Sequence, residues 1–240
     1  MKKKIIGLIN RKLRGLLAKT QRMEMNMDLS GTGAASPFFN HFHDLYCLWA
    51  ANGNYFWVER GIFNSFFIKD QASILELCCG DGFNSKYFYS SKSSKVTALD
   101  MDSSAIEHAK KFNDKNNIEY LSYNIANKLP KENGNGGYDN VIIDAAIEQL
   151  TKEDQVVLLG NIKEVIKENG IFSGLSIQKH PGINYLEHNK SEFSSASELR
   201  SFLLSKFNYA EVISNAHLGK VYLYFVASDQ AIKIFENLKA

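Results

Sequence analysis

The run Ile74-Leu75-Glu76-Leu77 leads directly into Cys78-Cys79-Gly80-Asp81-Gly82-Phe83-Asn84. It reads as a buried strand carrying an acid, followed by a turn of small residues. A second apolar run, Val96-Thr97-Ala98-Leu99, ends in Asp100. Glycines let a backbone approach a ligand closely, and a carboxylate takes both hydroxyls of a ribose. Together they form the front half of a nucleoside-cofactor site. Three candidate proton acceptors lie further along: Glu148, His180 and His188. Each follows a strand-like run, and the C-terminal ends of strands line the site in a wound sheet. His188 is favoured, because with Glu192 and Phe193 it would form a substrate lid. The plainer reading of each is a surface-loop residue.

Alternating strands and helices must position these groups. The spacing predicts strands over 73–78, 95–100, 118–123, 138–143 and 171–177. Helices are expected from 84 onward, over 103–113 with Asp102 or Ser103 as cap, over 152–168 stopping at Gly170, and over 197–206. The loop 128–137, rich in Gly and Asn, takes the place of a regular helix. Two late strands, 210–214 and 221–227, are joined by a short connection. The order implies an α/β, Rossmann-like doubly wound sheet. It has seven strands, mostly parallel, with a closing antiparallel hairpin.

Ahead of the sheet, 38–68 is unusually aromatic at mostly helical spacing, so it reads as a helical cap of two short helices whose rings are mainly core. Trp57-Val58-Glu59-Arg60-Gly61 is expected to end one of them and to bring Arg60 to the site entrance. A guanidinium there would fork onto a ligand carboxylate, the alternative being an ion pair with Glu59 or a neighbour. A small-residue linker, 26–37, precedes the block.

Of the 28 Lys and Arg residues, eight lie in 1–23 with no acid among them, so the rest of the chain sets 20 against 26 acidic groups. Ile6, Ile9, Leu13 and Leu16 repeat at helical spacing within that arm, making 1–30 a basic amphipathic extension to a domain over 31–240. Its apolar run is too short to span a bilayer. It is a candidate for peripheral contact with an anionic membrane face, or else a solvated helix. The acidic body argues against nucleic acid as partner. Three cysteines, two of them adjacent, make no disulfide framework and point to a reducing, cytoplasmic setting. No metal site is expected: Cys/His spacing is absent, and Asp144 stands as a lone carboxylate after the fourth strand.

The dinucleotide fingerprint needs a third glycine where this chain has Ser85, and a pyrophosphate would meet both Glu76 and Asp81. A cationic cofactor without phosphate tolerates those carboxylates. Ile74 to Gly82 resembles the first motif of class I S-adenosylmethionine-dependent methyltransferases, with Cys78 and Gly80 at the first two glycine positions and Gly82 at the third. Cys78 in place of glycine implies φ < 0 there. Ala98-Leu99-Asp100-Met101-Asp102 is similar to the second motif, which assigns the ribose hydroxyls to Asp100 with Met101 beside it. Tyr123-Asn124-Ile125-Ala126 is similar to the third, which assigns the adenine amino group to Asn124 next to Ile125. Residues 138–150, including Asp144 and Glu148, resemble the fourth strand and its active-site loop. The resemblance runs from about residue 55 to 229. It implies S-adenosyl-L-methionine as cofactor, held by Arg60, Glu76, Cys78, Gly80, Asp81, Gly82, Asp100, Met101, Asn124, Ile125 and Asp144. It further implies methyl transfer to a small-molecule acceptor, with His188 or Glu148 as catalytic base. The basic arm points to a glycan or lipid-linked precursor as that acceptor. An NAD-dependent oxidoreductase and a non-catalytic cofactor-binding protein are the competing readings.

Overall fold

All six residues of the first strand, Ala72–Leu77 (β1), are buried, which requires cover on both faces of the sheet and explains its nearly unbroken apolar sequence. The computed structural model describes residues 56–132, 136–180, 189–217 and 220–232. The basic arm, the linker, the aromatic block up to residue 55 and His188 lie outside the described residues. Among the described residues, no helix is long and apolar enough to cross a membrane.

The remaining strands are Ser93–Asp100 (β2), Ile118–Ser122 (β3), Tyr138–Asp144 (β4), Ile166–Ile177 (β5), Tyr209–His217 (β6) and Lys220–Ser228 (β7). They form one sheet in the order β3-β2-β1-β4-β5-β7-β6. Every pairing is parallel except those of β7, which runs antiparallel to both β5 and β6. This is the expected mixed seven-stranded sheet with its closing hairpin. Among the described residues four α-helices accompany it: Phe56–Ser65 (α1), Ser103–Phe112 (α2), Lys152–Val165 (α3) and Ala196–Leu204 (α4).

The strand period of two divides the core. Leu75, Leu77, Val141, Ile143, Phe172 and Phe225 face a large apolar cluster with Leu158, Ile162, Leu199 and Leu203 of α3 and α4. Ile74, Val96, Ala98 and Ile142 face the other way, packing with Ile68, Tyr89, Ile106 and Tyr120. The expected cap forms at α2, and two further side-chain caps accompany it. Asp102 accepts the Ser104 N–H at the start of α2, Thr151 the Asp154 N–H at α3, and Ser195 the Glu198 N–H at α4.

Several elements depart from expectation. The helix expected to run to 168 ends at Val165, and β5 begins at once with Ile166. Tyr138 pairs with Ile166 but Asn140 with Ile171, so residues 167–170 swing out as a bulge. Lys167 reaches Asp139 from it at 2.9 Å. Gly170 therefore serves that bulge instead of stopping a helix; a Cβ there would sit 3.0 Å from the Tyr138 carbonyl oxygen. The Trp57–Gly61 segment does not end its helix either. It runs on to Ser65, and Gly61 is the point where α1 lies against the Phe88 ring, 2.4 Å from where a Cβ would stand. Finally, the helix expected from residue 84 is a single π-helical turn, Ser85–Tyr89, closed by the Ser90 N–H on the Ser85 carbonyl at 2.9 Å. That wide turn aims Ser85 and Tyr89 at the strand-end acids.

Candidate functional site

Three left-handed residues shape the turn after β1: Cys78 (φ 59°), Gly80 (φ 57°) and Gly82 (φ 75°). The negative φ expected at Cys78 is thus corrected. Its carbonyl and amide must follow the path a glycine would take, and the side chain accepts the strain. Burial, then the charges of Asp100 and Glu148, push its thiol up to about 12, so it stays protonated and unreactive. The Cys79 N–H ties the turn to the Leu99 carbonyl at 2.9 Å. Gly82 lies against Tyr120, whose hydroxyl would be 2.5 Å from an added Cβ.

Asp100, half-buried at the end of β2, is held from both sides by backbone. Oδ2 accepts the Gly80 N–H and Oδ1 the Asp102 N–H, each at 2.9 Å. Each oxygen keeps a lone pair for a ligand hydroxyl. Above Gly80 there is open space: an added Cβ would meet nothing within 4 Å. Met101, 73% exposed, stands at the rim. Asn124 is exposed on the loop after β3, its Oδ1 taking the Ala126 N–H at 3.0 Å, while Ile125 is buried in the large apolar cluster. The exposed Asp81 side chain makes only a local bond to the Phe83 N–H.

A second group of predicted residues lies beneath the turn. Glu76 is 4% exposed and accepts a short hydrogen bond from Ser85 Oγ. Burial pushes its carboxyl up to about 8, with Ser85 and then Arg60 acting against that rise and Asp144 adding to it. Glu76 is therefore protonated at neutral pH and faces inward. Of the two carboxylates set against a pyrophosphate in the sequence, only Asp81 is at the surface. Asp144, at the end of β4, takes Asn64 Nδ2 at 3.1 Å on both oxygens and the Tyr89 hydroxyl at 3.0 Å. Burial raises its pKa, countered by Arg60, Asn64 and Tyr89. The Arg60 charge thus acts on Glu76 and Asp144, while Glu59 is occupied by Asn215 at 2.7 Å.

Glu148 occupies the opposite face of the sheet, in a 3₁₀ turn, Ile147–Gln149, just beyond β4. It is fully buried. Ser176 donates to Oε2 at 3.2 Å, and Oε1 has no hydrogen-bond partner. Burial pushes its carboxyl up to about 7. Its carbonyl holds the Lys190 and Ser191 N–H groups at 2.9 and 3.0 Å, fixing the following segment over it. His180 is exposed. Phe193 is no lid residue: it is 5% exposed and packs on Phe202 in the core, because its strand bridge to Gln178 turns it inward.

Asn64, Ser85, Tyr89, Ser173 and Ser176 were not singled out by sequence reasoning. Ser85 had a signal, as the residue breaking the dinucleotide fingerprint, and it is what answers Glu76. Asn64 lies four residues after Arg60, one helical turn on, and its Oδ1 takes the Ser173 hydroxyl at 2.7 Å.

Residues 74–170 match the family model of the methyltransferase domain. No curated protein matches the sequence. Among solved structures, the chain resembles DhpI in complex with SAH, with 16% identity over 79% of this chain and 89% of that one, TM-score 0.56. It also resembles the complex of the Haloferax volcanii Trm112 methyltransferase activator with a methyltransferase, with 15% identity, 77% and 97% coverage and TM-score 0.58. An S-adenosylmethionine-dependent methyltransferase from Aquifex aeolicus gives 19% identity, 69% and 87% coverage and TM-score 0.51. At these identities the structures establish the fold. Fold and domain match together define a methyltransferase of the wound α/β type. The domain match over residues 74–170, on this fold, supports a place among the class I S-adenosylmethionine-dependent methyltransferases.

Proposed function

We propose that this methyltransferase acts on a hydroxyl or amine of a small molecule, with Glu148 taking the acceptor's proton. The observation that carries this reading is the Glu148 carboxyl itself: buried, one oxygen unpartnered, and brought to about 7 at the edge where strand ends line the site. A general base works best with a pKa near the operating pH, and a buried carboxyl with a spare oxygen has that character.

When bound, S-adenosylmethionine supplies an activated methyl group on a sulfonium leaving group. In this reading Asp100 takes the ribose hydroxyls on its remaining lone pairs. The open side of Gly80 admits the ligand close to the backbone, with Gly82 fixing the turn. Asn124, beside Ile125, meets the adenine edge, and Met101 flanks it. Arg60, whose charge acts on both Glu76 and Asp144, takes the amino-acid carboxylate. Ser176 orients Glu148, and the burial around it excludes water from the transfer.

The test is turnover with methyl-labelled cofactor against a fractionated small-molecule extract. Wild-type turnover should rise as pH increases through about 7, because only deprotonated Glu148 accepts a proton. Glu148→Gln should lower turnover by roughly 10²- to 10⁴-fold and flatten that profile, with cofactor binding retained. Near-normal turnover in Glu148→Gln with the cofactor bound rejects the assignment.

A further inference from the structure

The apolar stripe of α3 is inverted at its start. Leu158, Leu159, Ile162 and Val165 are buried. One turn earlier the buried position is taken by Gln155, 3% exposed, while Val156 and Val157 stand 54% and 53% exposed. An amide at a core-facing helix position, next to two valines in solvent, is there for its hydrogen bonds and not for packing.

Both N–H groups of that amide are used, on two separate parts of the chain. Nε2 donates to the Ile147 carbonyl at 2.9 Å and to the Ser191 carbonyl at 2.8 Å. Ile147 opens the 3₁₀ turn that carries Glu148. Ser191 belongs to the segment whose Lys190 and Ser191 N–H groups donate to the Glu148 carbonyl at 2.9 and 3.0 Å. Gln155 therefore fastens the two pieces of backbone that meet at Glu148. Past Ser191, the bridge of Phe193 to Gln178 carries the closure on to the end of β5, where the Lys179 N–H donates to the Phe193 carbonyl at 2.8 Å.

Glu148 lies inside this closure and is fully buried. Burial is the largest cause of its rise to about 7, and the Glu192 charge adds to it. The Ser176 hydroxyl and the backbone N–H groups of Glu148 and Ile177 act the other way. The Cys78 thiol of the glycine turn feels the Glu148 charge and stays protonated. Without the Gln155 amide, the Ile147 and Ser191 carbonyls would lose the donors that join them, and water would take their place beside Glu148.

We propose that Gln155 is a positioning residue for the candidate base: its amide holds residues 190–191 down on the 147–149 turn and keeps water off the Glu148 carboxyl. The inference rests on the reading of Glu148 as the acceptor's base, and adds that the basicity of that group is set from α3. Gln155 acts through Glu148 and not on the acceptor.

Gln155→Met keeps nearly the same volume and removes both donors. Carboxyl-carbon NMR of the full-length protein, labelled at glutamate Cδ, reads the Glu148 titration with no acceptor present, and Glu148→Gln identifies its signal. The wild-type midpoint is expected near 7. In Gln155→Met it should fall by about one pH unit or more, because hydration favours the charged form. Exchange of the Lys190 and Ser191 amide protons should quicken roughly tenfold or more in the same variant. Gln155→Asn, one methylene shorter, cannot span both carbonyls and should shift the midpoint the same way by less. A midpoint unmoved in whichever of these variants folds, or a wild-type midpoint near 4.5, overturns the proposal. The pH dependence of turnover separates it from the reading beneath it. A rising limb that follows the midpoint to lower pH supports both. A midpoint that moves while the limb stays supports the clamp and rejects Glu148 as the base.

Discussion

Asp100 and Glu148 stand at the same edge of one sheet, the first closing β2 and the second just beyond β4, yet they differ sharply in burial. Asp100 is half-buried, and each of its oxygens is fixed by a backbone N–H at 2.9 Å. Glu148 is fully buried; backbone N–H groups of Glu148 and Ile177 and the Ser176 hydroxyl at 3.2 Å act on its carboxyl, and burial outweighs them. A carboxylate satisfied by rigid backbone stays charged and still, which suits holding a ligand. One stripped of water is brought to about 7, which suits moving a proton. Two acids in one fold are thus separated in role by burial.

The strongest test of this contrast is the turn that holds Asp100. Gly82→Ala forces a side chain onto φ 75° and to within 2.5 Å of the Tyr120 hydroxyl. It should cost roughly 2–4 kcal/mol in a denaturant titration. Gly80→Ala meets no atom and should cost only about 1–2 kcal/mol. Its larger effect should appear in calorimetry as weaker cofactor binding, because its Cβ points into the open space. Equal stability losses at the two glycines would mean that the turn is not shaped as described. Next in size, Asp100→Asn should weaken cofactor binding by about 10- to 100-fold with little change in melting temperature. Glu148→Gln should leave that affinity alone. If both variants lose affinity equally, the separation of roles fails.

A smaller effect concerns the buried acids. The folded-state pKa of Glu76 is raised to about 8 and that of Glu148 to about 7, both from 4.5. Each contribution to stability is complete below the unfolded value and is lost as pH rises through the folded one. Thermal melts of the wild type should therefore fall between pH 5 and 8. Glu76→Gln, which keeps an acceptor for Ser85, should show a shallower fall. An unchanged slope would remove Glu76 from the protonated state assigned to it.

Much of the Asp100 half was legible in the sequence. Glycines and a strand-final acid are signals carried by neighbouring residues, and the parallel order followed from the period of the apolar runs. The Glu148 half was legible only as a residue type in a loop. Its pKa depends on Ser176, 28 residues away, and on burial that no local pattern records. Asn64 is likewise joined to Asp144 across 80 residues of chain. Gly170 carries a helix-stop signature, but pairing of Ile166 with Tyr138 claims the chain first and ends α3 at Val165. Sequence proximity to His188 suggests a lid role for Phe193, but its bridge to Gln178 commits it to the core.

Cys78 adjoins both halves, since the charges of Asp100 and Glu148 each act on its thiol, and it gives the smallest and most exact test of the contrast. Cys78→Gly relieves the left-handed strain at φ 59°, about 1 kcal/mol. Against that stand the backbone entropy of glycine, about 0.5–1 kcal/mol, and the loss of a half-buried side chain packed on the large cluster. The terms nearly cancel, so stability should stay within roughly 1 kcal/mol of wild type. Turnover should also be unchanged, because a thiol pushed to about 12 takes no part in proton or methyl transfer. A fall in turnover with stability and cofactor affinity intact would show that the Cys78 side chain keeps Glu148 dry, and would make the two carboxylates parts of one device.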